Sequence, residues 1–149
     1  MSKKASAKNS KPVPGFEHIR TAAGIEEYRL KRNGLRVLYL NRPKTGVLTT
    51  NITYQVGAAD ERIGESGIAH MLEHMVFKPT TFDVEKGITA GGAMQFERET
   101  GCILNANTWK DRTTYFFSYP REYMDRAVEI EAERMTGVIL TEEELAPEK

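Results

Sequence analysis

The sequence has a single cysteine, Cys102, which excludes an internal disulfide and a cysteine-based zinc cluster. Cys102 lies in an apolar segment and is interpreted as a small buried hydrophobic residue. No apolar run approaches the ~18 residues that a transmembrane helix needs. The N-terminus also lacks the apolar stretch of a secretory signal. We therefore expect no membrane partner, and the cytoplasm is the default compartment.

The chain has no excess of either charge. Its 21 lysines and arginines balance 21 aspartates and glutamates, which gives a formal net charge of +0. This balance creates no global field that would attract nucleic acid, so we expect no nucleic-acid partner. The 149 residues, 40% of them hydrophobic, are enough for one globular domain with its own core.

Residues 1–24 are predicted to form a disordered basic tail and linker. The opening "MSKKASAKNSKPVPG" is rich in lysine and serine, contains two prolines and has no acidic residue. A segment of this composition buries too little apolar surface to offset the entropy lost on ordering. Residues 25–149 are predicted to form the folded part of the chain.

Alternating patterns in the folded part predict five strands. Asn33-Gly34 separates two strand-like stretches and is typical of a hairpin turn. Residues 48–56 alternate with a period of two, which indicates a third strand with one more polar face. Two further strands are predicted over 101–107 and 112–119, joined by a short turn.

Helices are predicted between and after these strands. The first has Ser66 as its N-cap and stops before Pro79, and a weaker one covers 82–92. Another helix follows from Arg121, and a last one begins at Thr141. The predicted fold class is α+β, a mostly antiparallel sheet with helices packed on it. The helix after Arg121 is predicted to bury a stripe made of Met124, Ala127, Val128 and Met135.

The segment "HMLEH" holds two of the three histidines in the chain. At about 100° per residue on a helix, His70, Glu73 and His74 share one sector. The apolar residues of the helix cluster on the opposite side, so we expect the three polar side chains to face a cleft. The apolar side is formed by Ile68, Leu72, Met75 and Val76.

Two imidazoles on adjacent turns of a helix can bind one Zn²⁺ ion at ~2.0–2.1 Å. A catalytic zinc ion needs a third protein ligand and an open position for water, whose pKa it lowers towards ~7. Glu73 is then placed to act as the general base. This order, H-x-x-E-H, inverts the commoner zinc-protease motif. The alternative is an ordinary helix with two solvent-facing histidines.

Three blocks of sequence extend this motif into a family resemblance. They are "ITYQVGAADERIGESGIAHMLEHMVFKPT", "CILNANTWKDRTTYFFSYP" and "AVEIEAERMTGVILTEEELAPEK". Together they resemble the pitrilysin/insulinase family of zinc metalloendopeptidases, which includes the mitochondrial processing peptidase subunits. The resemblance runs in unbroken order from about residue 25 to the C-terminus.

The resemblance implies roles for particular residues. His70 and His74 would be zinc ligands and Glu73 the general base. Asn105 and Ala106 would lie on an edge strand that pairs with the substrate backbone, which is physically sound because an edge strand offers unpaired N–H and C=O groups.

The family pattern also implies a third zinc ligand, a glutamate roughly six residues beyond Lys149. Glu148 matches an earlier glutamate of the same segment, with a supporting role near the site. Residues 25–149 are therefore expected to be the N-terminal part of a catalytic domain that is truncated at its C-terminus. Glu131 is interpreted as a paired acid at the edge of the core, or else as a group near the metal.

Members of this family are built from paired homologous domains that close around an unfolded peptide. The resemblance thus implies a peptide or unfolded protein substrate and a homologous second half-domain or subunit. The function expected is a zinc-dependent endopeptidase that uses metal-activated water, and the activity of these 149 residues alone is an open question. The alternative is a non-catalytic peptide-binding or structural homologue of the same fold.

Overall fold

A computed structural model describes residues 12–88 and 91–148 of the chain. The chain divides into two compact units, Met1–Thr45 and Gly46–Lys149. Each unit contains one three-stranded antiparallel sheet. The α+β class is confirmed, but the described residues form six strands in two sheets, whereas the sequence predicted five.

The first unit is a meander of three strands in the order β1-β2-β3. The turn at Asn33-Gly34 joins the last two strands, as predicted. Gly34 takes a φ of 77°, which a residue with a side chain rarely adopts. The Asn33 side chain accepts a hydrogen bond from the Leu35 N–H at 3.1 Å. The strands are β1 (Phe16–Ala22), β2 (Ile25–Leu30) and β3 (Arg36–Leu40).

Strand β1 corrects the prediction that the tail and linker continue to residue 24. Its backbone pairs with β2 from Phe16 to Ala22, and the Arg20 side chain forms an ion pair with Glu27 at 2.6 Å. The composition of the segment gave no sign of this strand. Its hydrogen-bonding partners come from β2, so the strand depends on pairing rather than on its own apolar content.

The sheet of the second unit has the order β4-β6-β5, with β6 in the centre. Every second residue of β6 is buried, from Thr113 to Tyr119. This alternation follows from the two-residue period of a strand that packs one face on a core. The strands are β4 (Val47–Tyr54), β5 (Ile103–Thr108) and β6 (Thr113–Pro120).

Five α-helices and three 3₁₀ turns complete the described residues of the second unit. A cluster of buried side chains joins two of them to the sheet, and Cys102 lies in it as the predicted buried hydrophobic residue. Phe96 contributes an edge-to-face contact with Phe117, whose ring centroid lies 5.5 Å away. The helices are α1 (Ile68–Met75), α2 (Thr81–Glu85), α3 (Gly92–Thr100), α4 (Met124–Thr136) and α5 (Glu142–Leu145).

Two helix predictions need correction. Helix α3 begins at Gly92, where a weaker helix was expected to end. The apolar stripe predicted for α4 lies largely on the exposed side, because Met124, Val128 and Met135 are each about half exposed. The core side of α4 carries Ala127 and Ile130 together with charged residues. Charged residues therefore make up much of the buried face of α4, and a search for apolar residues alone does not identify this face.

Candidate metal centre

The helix that carries the histidines is held at its N-terminus by a carboxylate. Glu61 accepts hydrogen bonds from the backbone N–H groups of Gly67 and Ala69, each at 2.9 Å. These backbone donors lower the pKa of Glu61. The predicted N-cap, Ser66, is wrong: Gly67 takes the cap position and makes no side-chain hydrogen bond. The capping group comes from earlier in the loop, so the usual cap signature did not reveal it.

His70 and His74 project from adjacent turns of α1 and are both exposed. Their Nε2 atoms lie 3.2 Å apart, and the rings are 4.7 Å apart and nearly perpendicular. Two nitrogen ligands at ~2.0–2.1 Å in a tetrahedral arrangement are about 3.3 Å from each other. The spacing of the two ring nitrogens therefore fits one Zn²⁺ ion bound between them.

Glu73 shares its predicted sector of α1 with the two histidines but differs from them in burial. Its side chain is buried, and Thr108 Oγ1 donates a hydrogen bond to its Oε2. The expected apolar face is only partly buried: Met75 is 1% exposed, whereas Ile68 and Leu72 are 52% and 43% exposed. The helix therefore buries Glu73 on one face and Met75 on the opposite face, and leaves both imidazoles exposed.

Strand β5 lies at one edge of the sheet of the second unit. Asn105 is exposed and Ala106 is half-buried on this strand. The Ala106 N–H donates to the Asn105 side-chain oxygen at 2.8 Å. The Ala106 N–H therefore has a local side-chain partner on this strand.

Arg134 is buried between two aromatic rings of the second unit. Its guanidinium carbon lies 5.0 Å from the centre of the Tyr115 ring and 5.2 Å from that of Phe77. Nη1 of Arg134 also donates to Glu131 at 3.4 Å, which agrees with the interpretation of Glu131 as a paired acid. Burial raises the pKa of Glu131 and raises that of Tyr115 to about 12.

The structure brings together His70 and His74, the two residues predicted as zinc ligands. Within residues 12–88 and 91–148, no group of three or more His, Cys, Asp or Glu side chains is placed to hold a metal ion. The side chain of Glu148 lies outside the described residues, so its supporting role stays a prediction.

In α5, Thr141 accepts from the Glu144 N–H, and Glu144 pairs with Lys78 at 3.5 Å.

Sequence reasoning missed Thr108 as part of this site. Threonine at the end of a strand is common, and its partner Glu73 is distant in sequence. The block "NANT" contained the residue, but nothing in its spacing pointed to α1.

As for membranes, none of the helices in the described part of the chain has the length and apolar character to cross one.

Comparison with known proteins defines the class to which this fold and site belong. The model of the family Insulinase (Peptidase family M16) matches residues 36–149. The chain therefore belongs to this family of peptidases. The predicted resemblance to the pitrilysin/insulinase enzymes is confirmed.

Individual relatives agree with the family. The chain is 39% identical over 119 residues to zinc protease PqqE of Helicobacter pylori, covering 79% of this chain and 26% of that protein. It is 32% identical over 109 residues to mitochondrial-processing peptidase subunit beta of Saccharomyces cerevisiae, covering 72% of this chain and 22% of that protein. The chain thus spans about a quarter of the length of these relatives.

Solved structures give the same fold. A crystal structure of a protease from Helicobacter pylori matches with a TM-score of 0.73 and 38% identity, covering 83% of this chain and 29% of that one. Pitrilysin matches with a TM-score of 0.72 and 23% identity, covering 87% of this chain and 14% of that one. At this lower identity, the second likeness concerns the fold alone.

Proposed function

We propose that this chain is the N-terminal part of the catalytic domain of a zinc-dependent endopeptidase. The observation that carries the proposal is the 3.2 Å separation of the Nε2 atoms of His70 and His74, which suits two ligands of one ion. Zinc, when bound, supplies Lewis acidity that activates water and polarises a peptide carbonyl.

Glu73 is the general base in this proposal. It lies on the same helix, three residues after His70 and directly before His74. Its carboxylate therefore stays close to a site between the imidazoles. Its role is to take a proton from the attacking water and to pass it to the leaving amine. The hydrogen bond from Thr108 supports this role because it holds one oxygen of the carboxylate in place.

The substrate is an extended peptide that adds to the edge of β5. Asn105 and Ala106 are the residues that would pair with it, the first through its amide and the second through its backbone. Strand β5 also carries Thr108, so the peptide edge and the partner of Glu73 lie two residues apart. This proximity supports placing the scissile bond near α1.

The site needs a third ligand, which we expect roughly six residues after Lys149 from the family pattern. Glu148 belongs to the same segment and supports the site from beside it. A homologous second half-domain or subunit supplies further contacts to the peptide. These parts are consistent with relatives about three times as long as this chain.

The test compares this chain with one extended by about twenty residues, which brings in the third ligand. Zinc content is measured by atomic absorption and activity by cleavage of a quenched fluorescent peptide. We expect stoichiometric zinc and hydrolysis in the extended protein, and loss of hydrolysis with zinc retained in its Glu73→Gln variant. Full activity in that variant would refute the role of Glu73. Peptide binding without any hydrolysis would favour the non-catalytic alternative.

A further inference from the structure

The contact between Glu73 and Thr108 connects two distant parts of the second unit. The residues are 35 positions apart, and the Thr108 hydroxyl donates to Oε2 of the Glu73 carboxylate. Glu73 is only 9% exposed. A buried carboxylate is unfavourable unless it is hydrogen-bonded, so the hydroxyl compensates for part of the desolvation of this group.

Thr108 is itself held firmly in place. It pairs with Thr113 at the end of the β5–β6 ladder. The next residue, Trp109, donates its N–H to the Arg112 carbonyl at 2.8 Å and accepts from the Ala58 N–H at 3.0 Å. The branched threonine side chain also has a restricted χ1 angle. The hydroxyl therefore points from a fixed strand end towards α1.

We propose that Thr108 is a positioning residue that orients the carboxylate of Glu73 for proton transfer. The inference rests on the proposed function, in which Glu73 is the general base. With Oε2 hydrogen-bonded to Thr108, the other oxygen, Oε1, takes the proton. A base that is held in one orientation avoids the cost of ordering it at each turnover, and small misplacements of such groups lower rates severely.

Strand β5 has two roles in this arrangement. Its edge at Asn105 and Ala106 receives the peptide, while Thr108 orients the base. A single strand thus sets the position of the peptide backbone relative to the group that acts on it. The hydroxyl is needed for this, and a methyl group of the same size is not a substitute.

The test uses the full-length protein and its Thr108→Val and Thr108→Ser variants. Valine keeps the shape and removes the donor, whereas serine keeps the donor. Thr113→Val is the matched control, because it removes a threonine hydroxyl that donates elsewhere, to the Val56 carbonyl at 3.0 Å. Measurements are kcat and KM on a fluorescent peptide, and zinc affinity by competition with a chelator.

We expect Thr108→Val to lower kcat about 10–100-fold, the usual loss for a group that orients a reacting residue. KM and zinc affinity stay within about threefold, since the Thr108 hydroxyl donates to Glu73 and the substitution leaves the imidazoles and the backbone of β5 unchanged. Thr108→Ser and Thr113→Val keep kcat within about threefold of the unsubstituted protein.

The outcomes separate this inference from the proposed function. If the unsubstituted protein hydrolyses no peptide in the presence of zinc, the proposed function and the positioning role of Thr108 are both overturned. If it hydrolyses peptides and Thr108→Val keeps its kcat, only the positioning role is refuted. That role is also refuted if serine fails to rescue kcat, or if zinc affinity falls in parallel with it.

Discussion

Glu61 Oε1 accepts a hydrogen bond from the backbone N–H of Ala69, the residue directly before His70, at 2.9 Å. The other oxygen of Glu61 accepts from the Gly67 N–H. A carboxylate is favourable at a helix N-terminus because it satisfies unpaired N–H groups and lies at the positive end of the helix dipole. The first turn of α1, from which His70 projects, is thus anchored by the preceding loop.

We expect Glu61→Gln to remove a pH-dependent part of the stability. The pKa of Glu61 is lowered in the folded chain, so its contribution is present above its unfolded value of about 4.3 and is lost as the pH falls through the folded value. The measurement is the thermal unfolding midpoint from pH 3 to 7. The difference between the two proteins should shrink towards the acidic end.

Glu85→Gln is the control for this prediction, because it removes the same charge from an exposed position on α2. Its midpoint should follow that of the unsubstituted chain at every pH. A difference for Glu61→Gln that stays constant with pH would contradict the assigned origin of the effect.

Gly57→Ala should destabilise the second unit. A Cβ at this position would lie 2.2 Å from the Trp109 carbonyl oxygen and 2.8 Å from the Arg112 nitrogen. Both are backbone atoms of the β5–β6 turn and cannot move aside cheaply. We expect a loss of about 1–3 kcal/mol in the free energy of unfolding, measured with urea.

Gly64→Asn is the comparison for Gly57→Ala. Gly64 has a φ of 92° and no neighbouring atom within 4 Å of an added Cβ, and asparagine tolerates such a φ better than other residues do. Its unfolding midpoint should change by less than that of Gly57→Ala. Equal losses in the two variants would mean that the close approach at Gly57 relaxes without cost.

Arg134→Met should be strongly destabilising. Arg134 is 4% exposed and pairs with the buried Glu131, whose carboxylate would lose its cationic partner. Breaking one side of a buried pair typically costs about 3–5 kcal/mol. The double variant Glu131→Gln/Arg134→Met should be more stable than Arg134→Met alone, since no unpaired charge remains. Chemical denaturation measures both, and a double variant no better than the single one would refute the pairing.

Ala106→Pro should leave the fold intact and impair peptide cleavage. The Ala106 N–H donates to the Asn105 side chain, so its loss need not break the ladder with β6. A peptide that adds to this edge would lose a backbone donor. We expect KM to rise about tenfold or more, with an unchanged circular dichroism spectrum. Ala106→Ser keeps the N–H and serves as the control; an equal rise in KM there would contradict the strand-addition proposal.

The spacing of His70 and His74 was sufficient to predict that their imidazoles lie close together. Ligands on one helix are close whatever the rest of the fold does, because the helix repeat alone sets their separation. Hairpin and strand patterns were similarly informative: the turn at Asn33-Gly34 and the strands β4, β5 and β6 lie where alternation and turn residues placed them.

Contacts between distant segments were decided by tertiary packing. Glu73 is buried and accepts a hydrogen bond from Thr108 on β5, whereas the imidazoles of the same helix sector are exposed. The exposed side of α4 carries the apolar stripe, and its core side carries Glu131 and Arg134, which compensate each other's charge. Such partners come from other parts of the chain, and local periodicity carries no information about them.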